Sequence, residues 1–471
     1  MTDKSDKQLF LPENAPSELS KNPDNGEKPE GEWGWVVCCG TFLVNFIVFG
    51  IHNSFGVIYE YLVNELHLGE AETAWVGAMA ASLNFLCGPL SSILCDRFGC
   101  RKVALIGAVL SVSGLFLTSF VTDLHYMYIT YGLLWGVGSS FSFVPSIVIL
   151  GDYFDKRLAL ANGVGTSGSG VGSLIASPTI NYSLRTIGWK NSLRILSGVA
   201  AFLAVACFLY RPLRNAKRGS NHVTRRCSRL CDASIWKNGT YLTWVLTIGF
   251  FQFGYPVPFV HLVKYADDLG VPPSKGAWLV GFLSIMSTVG RVVFGKICEL
   301  RRVNKLHVYQ LSVFVIGMST VICPFAESYA GFVVYSLVFG FFDGCFVGQV
   351  AVITGEIAGK EKLSQAIGNM FGVVAIPMIL GAPVAGWLHE AFGSYHQAFF
   401  ICGSFAIASS LLLFVVSYMV RRQRRMFSFT ASSSKRTELC EQSLVKGSES
   451  SALVGLPSLD TLVIASRETV L

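Results

Sequence analysis

Gly254-Tyr-Pro-Val-Pro-Phe-Val-His-Leu-Val-Lys-Tyr265 decides the fold of this chain when it is read together with Arg291. The segment belongs to an apolar stretch long enough to cross a bilayer, yet it carries two prolines, several aromatic residues and a histidine. Proline removes a helical hydrogen bond and bends a helix, and an ionisable group at membrane depth is costly unless it faces a cavity or a partner. The pattern therefore predicts a bent transmembrane helix that forms half of a substrate site.

The composition indicates that lipid is the solvent of this chain. Of its 471 residues, 52% are hydrophobic and only 14% are charged, whereas about one quarter of a soluble chain is charged. About twelve apolar stretches of ~20 residues fit along the sequence, and each matches the hydrocarbon thickness of a bilayer. The net charge of +7 is concentrated in short loops. It predicts membrane topology, and we expect no nucleic-acid partner.

The predicted spans form two sets of six. They cover residues 36–59, 74–95, 103–121, 127–149, 160–182 and 192–210, then 242–265, 276–296, 307–325, 331–354, 366–388 and 397–419. Residues 211–240 form a basic loop between two halves, residues 30–210 and 241–420, and the polar residues 1–29 and 421–471 predict disordered tails. The sequence therefore predicts an all-α membrane protein with twelve transmembrane helices in two six-helix halves, a pattern that resembles the major facilitator architecture.

Lysine and arginine cluster on alternate predicted loops. The loop of residues 59–73 carries four glutamates and neither lysine nor arginine, whereas loops such as residues 211–240 and 301–305 are basic. The positive-inside rule places the basic loops and both termini in the cytoplasm, with Arg185 and Lys190 on an outer loop as the main exception.

A tight cytoplasmic turn is predicted between the second and third spans. Gly88-Pro-Leu-Ser-Ser-Ile-Leu-Cys-Asp-Arg-Phe-Gly-Cys-Arg101 resembles the G-x-x-x-D-R-x-G-R-R gate motif of the facilitator superfamily. Asp96 can cap a helix N-terminus and pair with a basic group of a neighbouring helix. We predict that Asp96 and Arg97 form a gate that exists in one state and breaks in the other. The alternative is an ordinary charged loop.

Two further stretches resemble signatures of the monocarboxylate transporter family (solute carrier family 16). Glu30-Gly-Glu-Trp-Gly-Trp35 resembles [DE]-G-G-[WF]-[GA]-W, with Glu32 in place of a glycine, and Tyr153-Phe-Asp-Lys-Arg-Leu-Ala-Leu-Ala-Asn-Gly163 resembles Y-F-x-[KR]-[KR]-x-x-L-A-x-G. The overall resemblance covers residues 30–420. It implies a plasma-membrane carrier that moves small organic anions or zwitterions by alternating access.

Within that family, the chain is most similar to the thyroid-hormone and aromatic-amino-acid branch. The similarity lies in Phe49-Gly-Ile-His-Asn-Ser54, residues 257–265, Gly340-Phe-Phe-Asp-Gly344, and residues 364–368 and 381–386. The proton-coupled lactate carriers have a lysine near the position of Asn53 and an aspartate at that of Ser287. The resemblance therefore implies facilitated diffusion of aromatic amino acids, iodothyronines or both. The alternative is a proton-linked carrier of short monocarboxylates such as lactate.

Two ionisable residues at membrane depth are the main candidates for substrate binding. Arg291 keeps its charge, and its planar guanidinium suits a carboxylate. It could instead form a structural ion pair or extend to the lipid headgroups. Asp343 lies in the middle of a span and needs a partner. We predict that Arg291 is this partner, and the resemblance implies the same pairing; the alternative is that Asp343 receives a substrate amino group.

Two histidines and several aromatic residues are the secondary candidates. His52, beside Asn53 in the first span, and His261 in the seventh could each hold a phenol or a carboxylate, or only bond a neighbouring helix. Tyr255 and Phe259, like Phe55 and Phe251, could stack on an aromatic substrate or simply pack in the protein. Lys264 and Tyr265 are predicted to anchor the seventh span at the outer interface.

The remaining motifs carry less weight. No HExxH or GxSxG motif lies on a span, so we predict neither an enzyme nor a metal or cofactor site, although a transport-inactive receptor of the same fold stays open. The sequon at Asn238 lies on the predicted cytoplasmic side, and we expect no glycan there. Thr469-Val470-Leu471 suits capture by a PDZ protein. The sequence leaves an ancillary membrane subunit undetermined.

Overall fold

The computed structural model describes residues 32–66, 70–211, 234–300, 302–326, 328–359 and 362–451. The chain divides into two compact units, Met1–Leu411 and Leu412–Leu471. The first unit contains almost all of the predicted spans, and the second contains the rest of the last helix. The predicted N-terminal tail, most of the central loop and the PDZ-type C-terminus lie outside the described residues.

The first six spans agree with the predicted positions within a few residues, and each is helical. Their bounds are Glu32–Asn53 with Phe55–Leu66 (span 1), Glu70–Leu86 with Gly88–Phe98 (span 2), Cys100–Thr118 (span 3), Leu124–Tyr153 (span 4), residues 158–187 (span 5) and Trp189–Phe208 (span 6). Spans 5 and 6 form one long helix that is interrupted at Gly188, where φ is +77°. Such a φ favours glycine because a Cβ atom would be strained there.

The second six spans also match the prediction. Their bounds are Gly239–Gly254 with Pro256–Asp268 (span 7), Pro273–Ile297 (span 8), Lys305–Ile322 with the 3₁₀ turn Cys323–Phe325 (span 9), Tyr329–Ala358 (span 10), Leu363–Phe392 (span 11) and His396–Ser451 (span 12). Span 12 differs from the prediction, because the helix continues through residues 421–451 where disorder was expected. Residues 421–446 contain neither glycine nor proline, so local helix propensity favours this continuation.

Ten of the described helices are long and apolar enough to cross a membrane, and span 2, bent by 45°, makes an eleventh. Span 5 is the predicted span that is not among them. Its hydroxyl residues, including Thr166, Ser169 and Ser173, lower its hydropathy, and they line an internal cavity instead of facing lipid. The prediction of an all-helical, multi-span membrane protein is therefore confirmed. Span 5 is more polar than the other spans because one of its faces lines the cavity.

Spans 1 and 7, the first helices of the two sets, are both interrupted near their middle. Span 1 breaks at Ser54, whose hydroxyl donates to the Gly50 carbonyl at 2.6 Å. Span 7 breaks at Tyr255, directly before Pro256. Proline has no N–H to donate within a helix, which accounts for this break. The predicted interruption of the seventh span is thus confirmed.

The two sets of spans meet along two seams within the first unit. One seam joins spans 5 and 8, and the other joins spans 2 and 11. Glycine allows this close approach: a Cβ atom on Gly88 of span 2 would lie 2.8 Å from the Gly368 carbonyl of span 11. A Cβ on Gly163 of span 5 would collide with the Arg291 carbonyl of span 8. Both seams therefore depend on small residues.

Bonds between the two sets close the side that carries the basic loops. The Asn162 amide donates to the Gly348 carbonyl at 2.6 Å, and Arg157 pairs with Glu299 at 3.6 Å. The second helix of span 7, Pro256–Asp268, packs on spans 8 and 11 of its own set, and the second helix of span 1, Phe55–Leu66, packs on span 2 and on the long helix of spans 5 and 6. Among the described residues, the bonds that join the two sets at Asn162 and Arg157 therefore lie on the side of the basic loops.

Candidate functional site

A cavity of about 750 Å³ lies between the two sets of spans. Its described lining comes from spans 1, 2, 4 and 5 of the first set and spans 7, 8, 10 and 11 of the second. This volume falls within the usual range for sites that enclose small organic ligands. Most lining residues are apolar or aromatic, and the polar side chains among them are the candidates for substrate recognition.

Arg291 of span 8 lines the cavity and is 6% exposed. Its Nη1 donates to the Thr166 carbonyl at 2.5 Å and to the Ser169 hydroxyl, both on span 5. Its Nε has no hydrogen-bond partner among the described residues. Extension to the lipid headgroups is excluded by this burial. The guanidinium therefore joins the two sets of spans and still offers a donor.

Asp343 of span 10 lines the same cavity and is 1% exposed. The Ser287 hydroxyl donates to its Oδ2 at 2.5 Å, and the Tyr255 phenol also neighbours the carboxylate. Its Oδ1 has no hydrogen-bond partner in the described part of the chain. Asp343 is thus held by the Ser287 hydroxyl and adjoins the Tyr255 phenol, while its Oδ1 is left to accept a further donor.

The predicted ion pair between Arg291 and Asp343 is not formed in the described structure. The guanidinium is turned toward span 5, and a neutral hydroxyl from Ser287 holds the carboxylate. Ser287 lies four residues before Arg291, so the two side chains share one face of span 8. The cavity therefore contains two opposite charges that are each supported by neutral groups.

His52 and Asn53 line the cavity where span 1 breaks. The His52 Nε2 lies 3.0 Å from the Ser139 hydroxyl, and its ring packs against Trp135. The Asn53 amide donates to the Ser173 hydroxyl at 2.8 Å. Both predicted residues therefore face the cavity, although their polar groups are already bonded to spans 4 and 5.

Sequence reasoning missed the polar face of span 5. This face carries Thr166, Ser169, Ser173 and Ser177, all of which line the cavity. Their spacing of three or four residues places them on one side of a helix, which is a signal that the sequence does contain. The sequence shows Ser287 as a neutral residue where the lactate carriers have an aspartate. It does not predict that the Ser287 hydroxyl donates a hydrogen bond to Asp343.

Tyr255 and Phe259 line the cavity, as predicted, with their ring centroids 5.2 Å apart. The other two aromatic candidates do not line it. Phe251 is buried behind Tyr255, and Phe55 packs against Tyr131. The cavity also has an aromatic wall that was not predicted, formed by Phe49, Phe85, Phe143 and Phe371.

His261 does not line the cavity, and the structure contradicts its predicted position. Its ring packs 5.1 Å from that of Tyr395. Phe259 and Val260 line the cavity, and the next side chain, about 100° further around the helix, lies outside the lining. Tyr265 is also buried, against Phe332 and other rings, and is not an interfacial anchor. The helical phase of span 7 explains both errors.

The predicted gate residues lie at the turn between spans 2 and 3, where Gly99 has a φ of +86°. Asp96 does not cap a helix N-terminus, because it lies in the last turn of Gly88–Phe98 and Gly99 occupies the cap of the next helix. Its Oδ2 accepts a hydrogen bond from the Gln365 amide of span 11 at 3.0 Å. Asp96 thus bonds the opposite set through a neutral amide, and Arg97 is exposed.

The described helices surround a cavity between two sets of spans. The Major Facilitator Superfamily profile matches residues 41–345 and 300–448. FucP, a transporter of that superfamily solved in the outward conformation, superposes with a TM-score of 0.65 at 13% identity, over 81% of this chain and 98% of its own. The chain is therefore a transporter of the major facilitator superfamily and not an enzyme.

Sequence comparison defines the family more narrowly. Monocarboxylate transporter 10 of Danio rerio is 37% identical over 426 residues, which are 88% of this chain and 84% of that protein. Monocarboxylate transporter 12 of Xenopus laevis is 32% identical over 409 residues, covering 82% and 89% of the two chains. The chain belongs to the monocarboxylate transporter family of the major facilitator superfamily, which confirms the predicted family.

We predict that Ser287→Ala destabilises the protein because it removes the hydroxyl that donates to the buried Asp343 carboxylate. A hydrogen bond to a charged group is worth about 1.5–3 kcal/mol, so the free energy of unfolding should fall by that amount. The measurement is thermal unfolding of the purified protein in detergent. The matched control is Ser113→Ala, which removes a hydroxyl bonded to the Leu110 carbonyl of its own helix. Equal shifts in the two variants would contradict the anchoring role of Ser287.

Proposed function

We propose that this protein carries aromatic amino acids, iodothyronines or both across the plasma membrane by alternating access. One observation carries the proposal. Arg291 and Asp343 bring opposite charges to a single cavity, are not paired with each other, and each keep one polar atom without a partner in the described structure. A zwitterionic amino acid presents the two complementary charges, and iodothyronines are amino acids as well.

The carboxylate of the substrate binds Arg291 in this proposal. The guanidinium offers its unpartnered Nε, whose N–H lies parallel to an N–H of Nη2, while Nη1 is bonded to span 5. Two parallel N–H donors match the two oxygens of a carboxylate. The substrate would therefore add charged hydrogen bonds to a guanidinium that span 5 already holds in place.

The amino group of the substrate binds Asp343 through the unpartnered Oδ1. The aromatic ring then packs against Tyr255, Phe259 and Phe346, which adjoin one another around this carboxylate. Aromatic rings gain stacking energy in addition to the burial of apolar area. The arrangement supports an aromatic substrate more strongly than a small aliphatic acid.

The alternative is a proton-linked carrier of short monocarboxylates such as lactate. Lactate has no amino group to neutralise Asp343, and it would fill only a small part of a cavity of about 750 Å³. Asn53 and Ser287, at the positions where the lactate carriers have ionisable residues, cannot exchange a proton near neutral pH. These observations favour facilitated diffusion of a larger zwitterion.

Alternating access is part of this proposal, and the two seams support it. We infer that the cavity opens away from the basic loops, because the bonds of Asn162 and Asp96 join the two sets on the side of those loops. The basic loops and both termini lie in the cytoplasm in this proposal, because cytoplasmic loops are enriched in lysine and arginine. The present conformation is then outward-facing, and the inward-facing state requires these bonds to break.

We predict that Arg291→Lys abolishes uptake of labelled tryptophan, because a lysine cannot donate two parallel hydrogen bonds to a carboxylate. Truncating one partner of a buried charged pair costs about 2–5 kcal/mol, so uptake should fall by a factor of ~30 or more. The measurement is uptake by cells with surface protein quantified by biotinylation. Arg302→Lys, on an exposed loop, is the matched control. Normal uptake by Arg291→Lys would contradict the proposed role.

We predict that a proton gradient does not concentrate the substrate. Purified protein in liposomes should equilibrate tryptophan in either direction, and substrate on the opposite side should accelerate the exchange. The measurement is steady-state accumulation at equal pH and after a pH step. Sustained uphill accumulation driven by the pH step alone would support the proton-linked alternative, with His52 or Asp343 as the proton carrier.

A further inference from the structure

Two carboxamide side chains on the cavity have hydrogen-bonding atoms without partners. Asn84 of span 2 is 1% exposed, and neither its Nδ2 nor its Oδ1 has a partner in the described residues. Gln252 of span 7 is 8% exposed; its Nε2 donates to the Met378 sulfur at 3.4 Å, and its Oε1 has no partner there. Both residues line the cavity.

These two amides are unusual for this cavity. The Asn45 amide donates to the Thr41 carbonyl at 2.9 Å, and the Asn53 amide donates to Ser173. Most buried polar groups in native proteins are hydrogen-bonded, and a thioether sulfur is a weak acceptor. We therefore expect a ligand in the cavity to supply hydrogen-bond partners for the unpaired amide atoms of Asn84 and Gln252.

Both amides belong to the wall formed by spans 2, 7 and 11. Phe85, next to Asn84, packs against Phe371 of span 11 at 5.7 Å, and Gln252 contacts Met378 of the same span. Arg291 instead belongs to the other seam, where it bonds span 5. The cavity thus has charged residues on spans 8 and 10, and phenylalanines with two neutral amides on spans 2, 7 and 11.

We propose that Asn84 and Gln252 form a subsite for a neutral hydrogen-bonding group on the substrate ring. The inference rests on the proposed function, in which Arg291 and Asp343 hold the carboxylate and the amino group. The ring then packs against Tyr255 beside Asp343, and its far edge extends toward the phenylalanine wall. A carboxamide both donates and accepts, so it suits a phenolic hydroxyl or an indole N–H.

The subsite predicts which aromatic substrates the carrier prefers. The side chains that form this wall, from Asn84 and Phe85 to Phe371 and Met378, carry no charge, so a charged ring substituent gains nothing there. A phenyl ring without a polar group leaves the amides unsatisfied. A site built to bond a hydroxyl discriminates against the analogue that lacks it. The carrier should therefore prefer tyrosine and tryptophan to phenylalanine.

The test is the concentration dependence of L-tyrosine and L-phenylalanine uptake by the full-length protein in liposomes. Asn84→Leu should raise the KM for tyrosine about 10-fold, since one net hydrogen bond is worth roughly that factor. The KM for phenylalanine should change less than about 2-fold on the same reasoning. The ratio of the two KM values is independent of the amount of active protein, and Asn84→Ala serves as a second variant if the leucine is not tolerated.

Asn45→Leu is the matched control, because this cavity asparagine is bonded to its own helix. It should change both KM values by the same factor. The subsite is overturned if the ratio of the two KM values is unchanged in all three variants, Asn84→Leu, Asn84→Ala and Gln252→Leu. Uptake of phenylalanine would still support the proposed function in that case. If the unmodified protein takes up neither tyrosine nor phenylalanine, the subsite fails, and the aromatic-amino-acid part of the proposed function fails with it.

Discussion

The arrangement of the cavity depends on the burial of two opposite charges at membrane depth without a direct ion pair. A charge in a region of low dielectric requires compensation, and here it comes from neutral groups: span 5 holds Arg291, and Ser287 holds Asp343. A direct ion pair would satisfy the two residues mutually and leave little for a ligand. Because neutral groups hold both charges, Arg291 and Asp343 stay buried and each can still bind a charged group of the substrate.

The same residues connect the binding site to the conformational change. Arg291 lies at the seam of spans 5 and 8, next to Gly163 and close to the bond from Asn162 to Gly348. A substrate that binds Arg291 therefore acts on the residue whose bonds to Thr166 and Ser169 hold this seam. A ligand shifts a conformational equilibrium only through contacts that differ between the two states, and the bonds of Arg291 across the seam provide such a difference.

The sequence predicted the helices well and the site only in part. Hydropathy placed the spans within a few residues, because length and apolar composition are local properties. It could identify Arg291, Asp343, His52 and Tyr255 as rare residues at membrane depth, but it could not tell that His261 faces away from the cavity. The ion pair was also expected from charge alone, and only the geometry shows that Ser287 is the partner of Asp343. Unmet hydrogen bonds, as at Asn84, are visible only when the neighbours are known.

The central claim is that Arg291 and Asp343 bind the two charges of an amino acid separately, and a comparison of two ligands tests it directly. Tryptophan carries both charges, whereas indole-3-propionate has the same ring and carboxylate without the amino group. The measurement is binding of each ligand to purified protein before and after Asp343→Asn, which keeps the size and the polarity of the side chain. The account predicts that tryptophan affinity falls at least ~10-fold, as for the loss of a charged hydrogen bond, while indole-3-propionate affinity is maintained or rises. Equal losses for both ligands, or unchanged tryptophan affinity, would contradict it.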